Sequence, residues 1–135
     1  MKKILVLCTG NSARSQMAQG YLQHFAHGRA VVYSAGVAPK GVNPLAVQVM
    51  AEDGIDISHH TSNAVDDYAG LSFDYVLTVC DNARAQCPVF PSSARKLHQS
   101  FPDPDSLASF RQVRDQIKAY CESFFQSAPF QLTSG

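Results

Sequence analysis

The chain has 135 residues, with 11 basic and 11 acidic side chains and 45% hydrophobic residues. That length fits one domain burying roughly two thirds of the surface its unfolded form exposes, and the balanced charge excludes the broad positive field that draws nucleic acid or acidic membranes. The apolar run Ile4 to Leu7 is too short for a signal peptide, and no segment approaches the roughly 20 apolar residues of a membrane span, so a cytoplasmic protein with a small-molecule or neutral protein partner is expected.

Lys3 to Leu7 reads as a continuous aliphatic strand of the kind buried on both faces in a parallel sheet. Arg14 to His27 follows with helical spacing at Met17, Tyr21, Leu22 and Phe25. "AVVYSAG" is a second strand, and "NPLAVQVMAEDG" a helix with Asn43 placed to cap, Pro44 in the first turn and Gly54 at the end. Ser62 is placed to cap a short helix over "NAVDDYAGL", and "FDYVLTVC" is a third buried strand that ends, like the first, on a cysteine. "ARKLHQS" reads as a fourth strand. A long closing helix carries an apolar stripe at Phe110, Val113, Ile117, Cys121 and Phe124. The expected fold class is therefore α/β: one domain over 1–126, a four-stranded parallel sheet flanked by helices on both faces, and a loose tail at 127–135. Ligands of such sheets bind outside the carboxyl ends of the strands, where Cys8 and Cys80 sit.

In a reducing compartment the cysteines at 8, 80, 87 and 121 are either inert core residues or reagents rather than a disulfide framework. The segment "CTGNSARS" supplies a run of backbone N–H groups at the turn into a helix, where unpaired amides and the helix dipole favour an anion. Thr9, Gly10, Asn11, Ser12, Ala13, Arg14 and Ser15 are the expected oxyanion-binding residues. Gly10 suits a tight turn, Asn11 tolerates a left-handed backbone, and Arg14 offers a planar fork to paired oxygens. The same donors would lower the pKa of Cys8 and make it a nucleophile. Ser15 is a candidate hydrogen-bond donor to its thiolate, against a plain helix-start role.

Cys8, five intervening residues, Arg14 and Ser15 resemble the signature of the low-molecular-weight protein tyrosine phosphatases and of the arsenate reductases that share their fold, and "CTGNSARSQMAQG" is similar to the reductase version. Ala13 departs from relatives with a second loop cysteine, but the loop amide is kept. In the phosphatases the acid is an Asp before a Pro, which points to Asp103 in "SFPDPDS", with Asp105 as the alternative. The aromatic wall that follows this pair in phosphatases is missing from "DPDSLAS". Cys80 and Cys87 in "VLTVCDNARAQCPVFP" are similar to the redox pair of the thioredoxin-coupled arsenate reductases.

The resemblance implies that arsenate, or a similar tetrahedral oxyanion, binds the loop and Arg14. It also implies that Cys8 attacks arsenic, Asp103 protonates the departing oxygen, Cys80 then forms a disulfide with Cys8, and Cys87 moves that disulfide to Cys80–Cys87. Thioredoxin is the implied reductant, with glutaredoxin as the alternative, and the protein is expected to act as a monomer. Two helical residues seven apart lie roughly 10 Å apart along the axis, whereas bridged cysteines need Cα atoms within about 7 Å. The segment from Cys80 to Cys87 is thus predicted to unwind and loop out when oxidised.

Some relatives bind potassium beneath the loop through an Asn, a Glu, a Ser and an Asp. The matching positions here are Asn11, Gln19, Ser34 and Asn63, and the loss of both acids argues against a cation. His59 and His60 are adjacent, without a second cluster at ligand spacing, which points to surface or capping residues and no metal site. A phosphatase and a non-catalytic redox or oxyanion sensor remain as alternatives. The first gives Cys80 and Cys87 no task, and the second leaves Asp103 idle.

Overall fold

The computed structural model describes residues 1–68, 70–81 and 94–126. Among these residues four parallel strands and three α-helices follow in the order β1 (Lys2–Cys8), α1 (Arg14–Ala26), β2 (Ala30–Gly36), α2 (Pro44–Glu52), β3 (Tyr75–Thr78), β4 (Arg95–His98) and α3 (Leu107–Phe124). The sheet order is β2-β1-β3-β4, all parallel. Cys87, the switch segment expected after Cys80 and the tail expected at 127–135 lie outside the described residues.

The central strand explains its own sequence. Ile4, Leu5, Val6 and Leu7 are all fully buried, as a strand covered on both faces requires. Asn43 caps α2 by accepting from the Leu45 N–H, with Pro44 in the first turn, as its spacing predicts. α3 begins at a capping box between Ser106 and Ser109 and buries Phe110, Val113, Ile117, Cys121 and Phe124, the stripe read from the sequence. It packs on both α1 and α2. Among the described residues no helix is long and apolar enough to cross a membrane.

One element differs. The helix expected after Ser62 is a single 3-10 turn, Val65–Tyr68. Ser62 does not cap it: its hydroxyl donates to the Gly10 carbonyl 3.3 Å away, while the Asn63 N–H goes to Asn11 Oδ1 at 2.7 Å. Tertiary bonds to the loop after β1 have claimed the groups that a helix start would use.

Cys121 is a core residue. It is fully buried, its sulfur lies 3.8 Å from the Ala18 carbonyl, and burial pushes its thiol well up. Cys121→Ser is expected to keep turnover within about twofold while lowering stability by about 1–3 kcal/mol, the cost of a buried hydroxyl with one imperfect partner. Denaturant melts and steady-state assays check both halves, and a large loss of turnover would give Cys121 a role in the chemistry.

Candidate active site

The site is built where β1 hands over to α1. The carbonyls of the intervening loop are all turned outward. Cys8 O accepts from the Val37 N–H, Thr9 O from Ala38, Gly10 O from Lys40 and Ser12 O from Asn43, and Asn11 O accepts from the Gln16 amide. No cis peptide interrupts the run, and in a trans peptide the N–H points opposite to the preceding carbonyl. The N–H groups of residues 9 to 13 are therefore turned away from those scaffold partners, on the loop that lines the cavity. Ala13, at the N-cap of α1, makes no side-chain cap, and of the first-turn amides that of Ser15 faces Cys8.

The turn itself is made by Asn11, which is fully buried with φ of 45°. Its side chain is held on both ends, donating to Ser15 Oγ and Ser34 Oγ at 2.9 Å each and accepting from the Asn63 N–H. Gly10, expected to supply the turn conformation, does not have a positive φ. A Cβ there would meet only the flexible Lys40 stem, 2.8 Å from Cε, which can swing aside. Gly36, at the end of β2, was not singled out from the sequence. A Cβ on it would stand 2.7 Å from the Thr9 carbonyl and 2.8 Å from the Asn11 nitrogen, so only glycine lets the strand support the loop this closely.

The loop opens on a cavity of about 590 Å³, lined among others by Cys8, Gly10, Arg14, Lys40, Asp103 and Phe110. Arg14 Nη1 donates to the Phe101 carbonyl at 3.1 Å, and Nη2 lies 3.9 Å from Asp103 Oδ1. Asp103 is 77% exposed at the rim, whereas the alternative, Asp105, accepts from Ser109 Oγ at the start of α3. The only aromatic ring on the wall, among the described residues, is Phe110. It is 2% exposed and offers no open face to an aryl group.

Parallel pairing brings the two strand-end cysteines together. Leu7 is opposite Thr78 in register, and the Val79 N–H donates to the Leu7 carbonyl, so Cys8 and Cys80 emerge side by side from β1 and β3. Both are free thiols, 3% and 4% exposed, and Cys80 Sγ is 3.3 Å from Thr9 Oγ1. Burial pushes the Cys8 thiol above its ordinary range. Arg14 and the N–H groups of Ser15 and Thr9 pull it down without overcoming burial, and Cys80 adds to the rise. The expectation of a lowered pKa is corrected here: the local dipole and Arg14 are present as read, but desolvation outweighs them. Ser15 acts on Cys8 through its backbone N–H, while its hydroxyl accepts from Asn11.

A second buried network supports the loop. Gln16 donates to the carbonyls of Asn11 and Thr61, so its Oε1 faces His60 Nδ1 at 2.9 Å, and that nitrogen must carry the proton. His60 is thus a half-buried partner of the loop rather than the surface residue expected, and its neighbour His59 is exposed. Burial, with His59 beside it, lowers the His60 pKa to about 4 from 6.5, with Asp56 opposing. A group whose folded pKa is lowered binds a proton more readily unfolded, so stability should fall as pH drops from about 6.5 to about 4. His60→Gln, which keeps a donor without a titrating ring, is expected to lose less stability than the intact protein between pH 7 and pH 4.5 in thermal melts. Equal losses would remove His60 as the responsible group.

The positions matched to a potassium site do converge. Asn11 donates to Ser34, Ser34 donates to Gln19 Oε1 at 2.7 Å, and Asn63 donates to Asn11. The side-chain oxygens of Asn11, Gln19 and Ser34 are each used by a neighbouring donor, Asn63 turns its amide towards Thr61 and Tyr68, and none of the four carries a charge, so the set does not fit a cation. Among the described residues no group of three His, Cys, Asp or Glu side chains could hold a metal.

A β2-β1-β3-β4 parallel sheet whose central strand ends in a cysteine-to-arginine anion loop places the molecule among the phosphatase-like α/β proteins. The sequence pattern of the low molecular weight phosphotyrosine protein phosphatases matches residues 3–132, and the chain belongs to that family. Arsenate reductase 1 of Staphylococcus epidermidis is 46% identical over 125 residues, spanning 91% of this chain and 95% of the relative. An arsenate reductase solved in its phosphate-binding state superimposes with a TM-score of 0.78 at 35% identity, covering 93% of this chain and 98% of the other. The thioredoxin-dependent arsenate reductase of Corynebacterium glutamicum gives a TM-score of 0.80 at 26% identity over 98% of this chain and 63% of the other.

Proposed function

We propose that the chain reduces arsenate to arsenite by a relay of Cys8, Cys80 and Cys87, and that thioredoxin recycles it. The observation that carries this reading is the second buried thiol: Cys80 lies beside Cys8 at the adjoining strand end, 3.3 Å from Thr9 Oγ1. Hydrolysis of a phosphate ester has no use for it. The likeness to arsenate reductases over nearly the whole chain supports the same choice.

In this mechanism the dianion is held by the loop N–H groups and Arg14. The Cys8 proton passes to an arsenate oxygen, the thiolate attacks arsenic, and Asp103 protonates the departing oxygen, which leaves as water. Cys80 then attacks Cys8 Sγ. The S–As bond breaks with its electron pair going to arsenic, which leaves as As(III), and a Cys8–Cys80 disulfide remains. Cys87 attacks Cys80, frees Cys8 as a thiolate and leaves Cys80–Cys87, which a dithiol of the thioredoxin class reduces by two electrons. Thr9, with its hydroxyl against Cys80, helps hold that sulfur ready for attack. The relay needs no resident cation. It belongs in the cytoplasm, where thiols are kept reduced, and a single chain carries all its nucleophiles.

The test is arsenate-dependent NADPH consumption with thioredoxin and thioredoxin reductase, run beside hydrolysis of an aryl phosphate. Steady consumption supports the reductase, with slow ester hydrolysis as a side reaction of the same loop. Ester hydrolysis without arsenate turnover would transfer the assignment to the phosphatase, which Cys8, Arg14 and Asp103 also equip.

A further inference from the structure

Lys40 lines the cavity, yet nothing in the mechanism above employs it. Its backbone N–H donates to the Gly10 carbonyl at 3.0 Å, which ties the segment after β2 to the anion loop. Its stem then lies flat across Gly10, so that a Cβ built on that glycine would meet Lys40 Cε at 2.8 Å, Cγ at 3.1 Å and Cδ at 3.3 Å. Position 10, which has no side chain, leaves that path over the rim open. Among the described lining residues, Arg14 and Lys40 are the cations and Asp103 is the anion. Arg14 is engaged by the Phe101 carbonyl and faces Asp103, whereas the Lys40 ammonium forms no hydrogen bond or ion pair among the described residues.

We infer that Lys40 is the residue that draws the tetrahedral dianion into the loop and sets its affinity, an oxyanion-selecting cation at the pocket mouth. The inference rests on the oxyanion reading of this site. A mobile, hydrated ammonium acts as a point charge rather than a geometric clamp, so it strengthens binding and encounter without taking part in bond making. Its effect should therefore appear in Kd and KM rather than kcat, should weaken with salt, and should depend on charge rather than on the identity of the cation.

The experiment titrates inorganic phosphate calorimetrically into the intact protein, Lys40→Met and Lys40→Arg at low and high ionic strength, with arsenate kinetics alongside. Lys40→Met should bind phosphate about five- to tenfold more weakly at low salt, as removal of a rim charge facing a dianion predicts, and the difference should shrink at high salt. Lys40→Arg should restore binding, the arsenate KM should follow the phosphate Kd, and kcat should stay within about twofold. Equal phosphate affinity in Lys40→Met, or failure of the arginine to restore it, would overturn the inference whether or not arsenate is reduced. A phosphate difference in a protein that turns over no arsenate would bring down the reductase reading and leave the lysine's role standing. Absence of phosphate binding by the intact protein would overturn both.

Discussion

Cys87→Ser protein is expected to release about one equivalent of arsenite per chain and then stop, because each exchange needs an accessible thiolate and the Cys8–Cys80 disulfide is left without its next partner. Rapid-quench measurement of arsenite gives the first turnover, and the coupled assay should show NADPH consumption falling to background thereafter. Intact-mass analysis should find the stalled chain lighter by two hydrogens, with the disulfide mapping to Cys8 and Cys80. Cys8→Ser, by contrast, should release no arsenite at all. Hydrolysis of an aryl phosphate should be unaffected by the Cys87 change, since that chemistry stops at the loop. Sustained turnover by Cys87→Ser at the intact rate would show that the reductant reaches the Cys8–Cys80 disulfide directly, and the third step of the relay would have to go.

Asp103→Asn is expected to lower kcat for arsenate by about a hundred- to ten-thousand-fold, the usual contribution of a positioned proton donor, with arsenate still bound. Asp103 hangs at the cavity rim opposite Arg14, 3.9 Å from its guanidinium, so removing the acid leaves the anion-binding groups in place. Asp105→Asn is the matched control. That carboxylate accepts from Ser109 at the start of α3, and its loss should cost a fraction of a helix cap in stability with turnover within about twofold. Single-turnover kinetics separate the two, because only the Asp103 change should slow formation of the Cys8 adduct. The reverse pattern would shift the acid by two residues.

What the sequence made legible is what lies close together along it. Cys8, Arg14 and the small residues between them form one contiguous stretch, and the strand before and helix after them follow from local periodicity. The capping of α2 and the buried stripe of α3 were readable for the same reason. The rest depends on contacts between distant segments. The pKa of Cys8 turns on how deeply β1 is buried, which no local pattern states, so the local donors alone point in the wrong direction. His60 became a loop support only because Gln16, 44 positions earlier, faces it. Gly36 carried a faint signal, a glycine closing a strand, but the close approach of Thr9 and Asn11 could be known only from the folded backbone. Lys40 carries no local signal, and only the folded backbone lays its stem over Gly10.

The outward-turned carbonyls of the loop carry a consequence for discrimination among ligands. With the carbonyls of Cys8, Thr9, Gly10, Asn11 and Ser12 already bonded to the surrounding scaffold, the dipoles that greet an oxyanion are oriented beforehand. Little reorganisation accompanies its arrival, so nearly all the electrostatic gain is available as affinity. A cradle of fixed dipoles measures charge and radius, and it cannot tighten around one guest and stay slack around another. Phosphate, sulfate and arsenate should therefore compete on similar terms at the threshold. The choice of arsenate is then made afterwards, by chemistry: arsenic can accept an electron pair from a breaking bond to sulfur, and phosphorus in the same seat cannot.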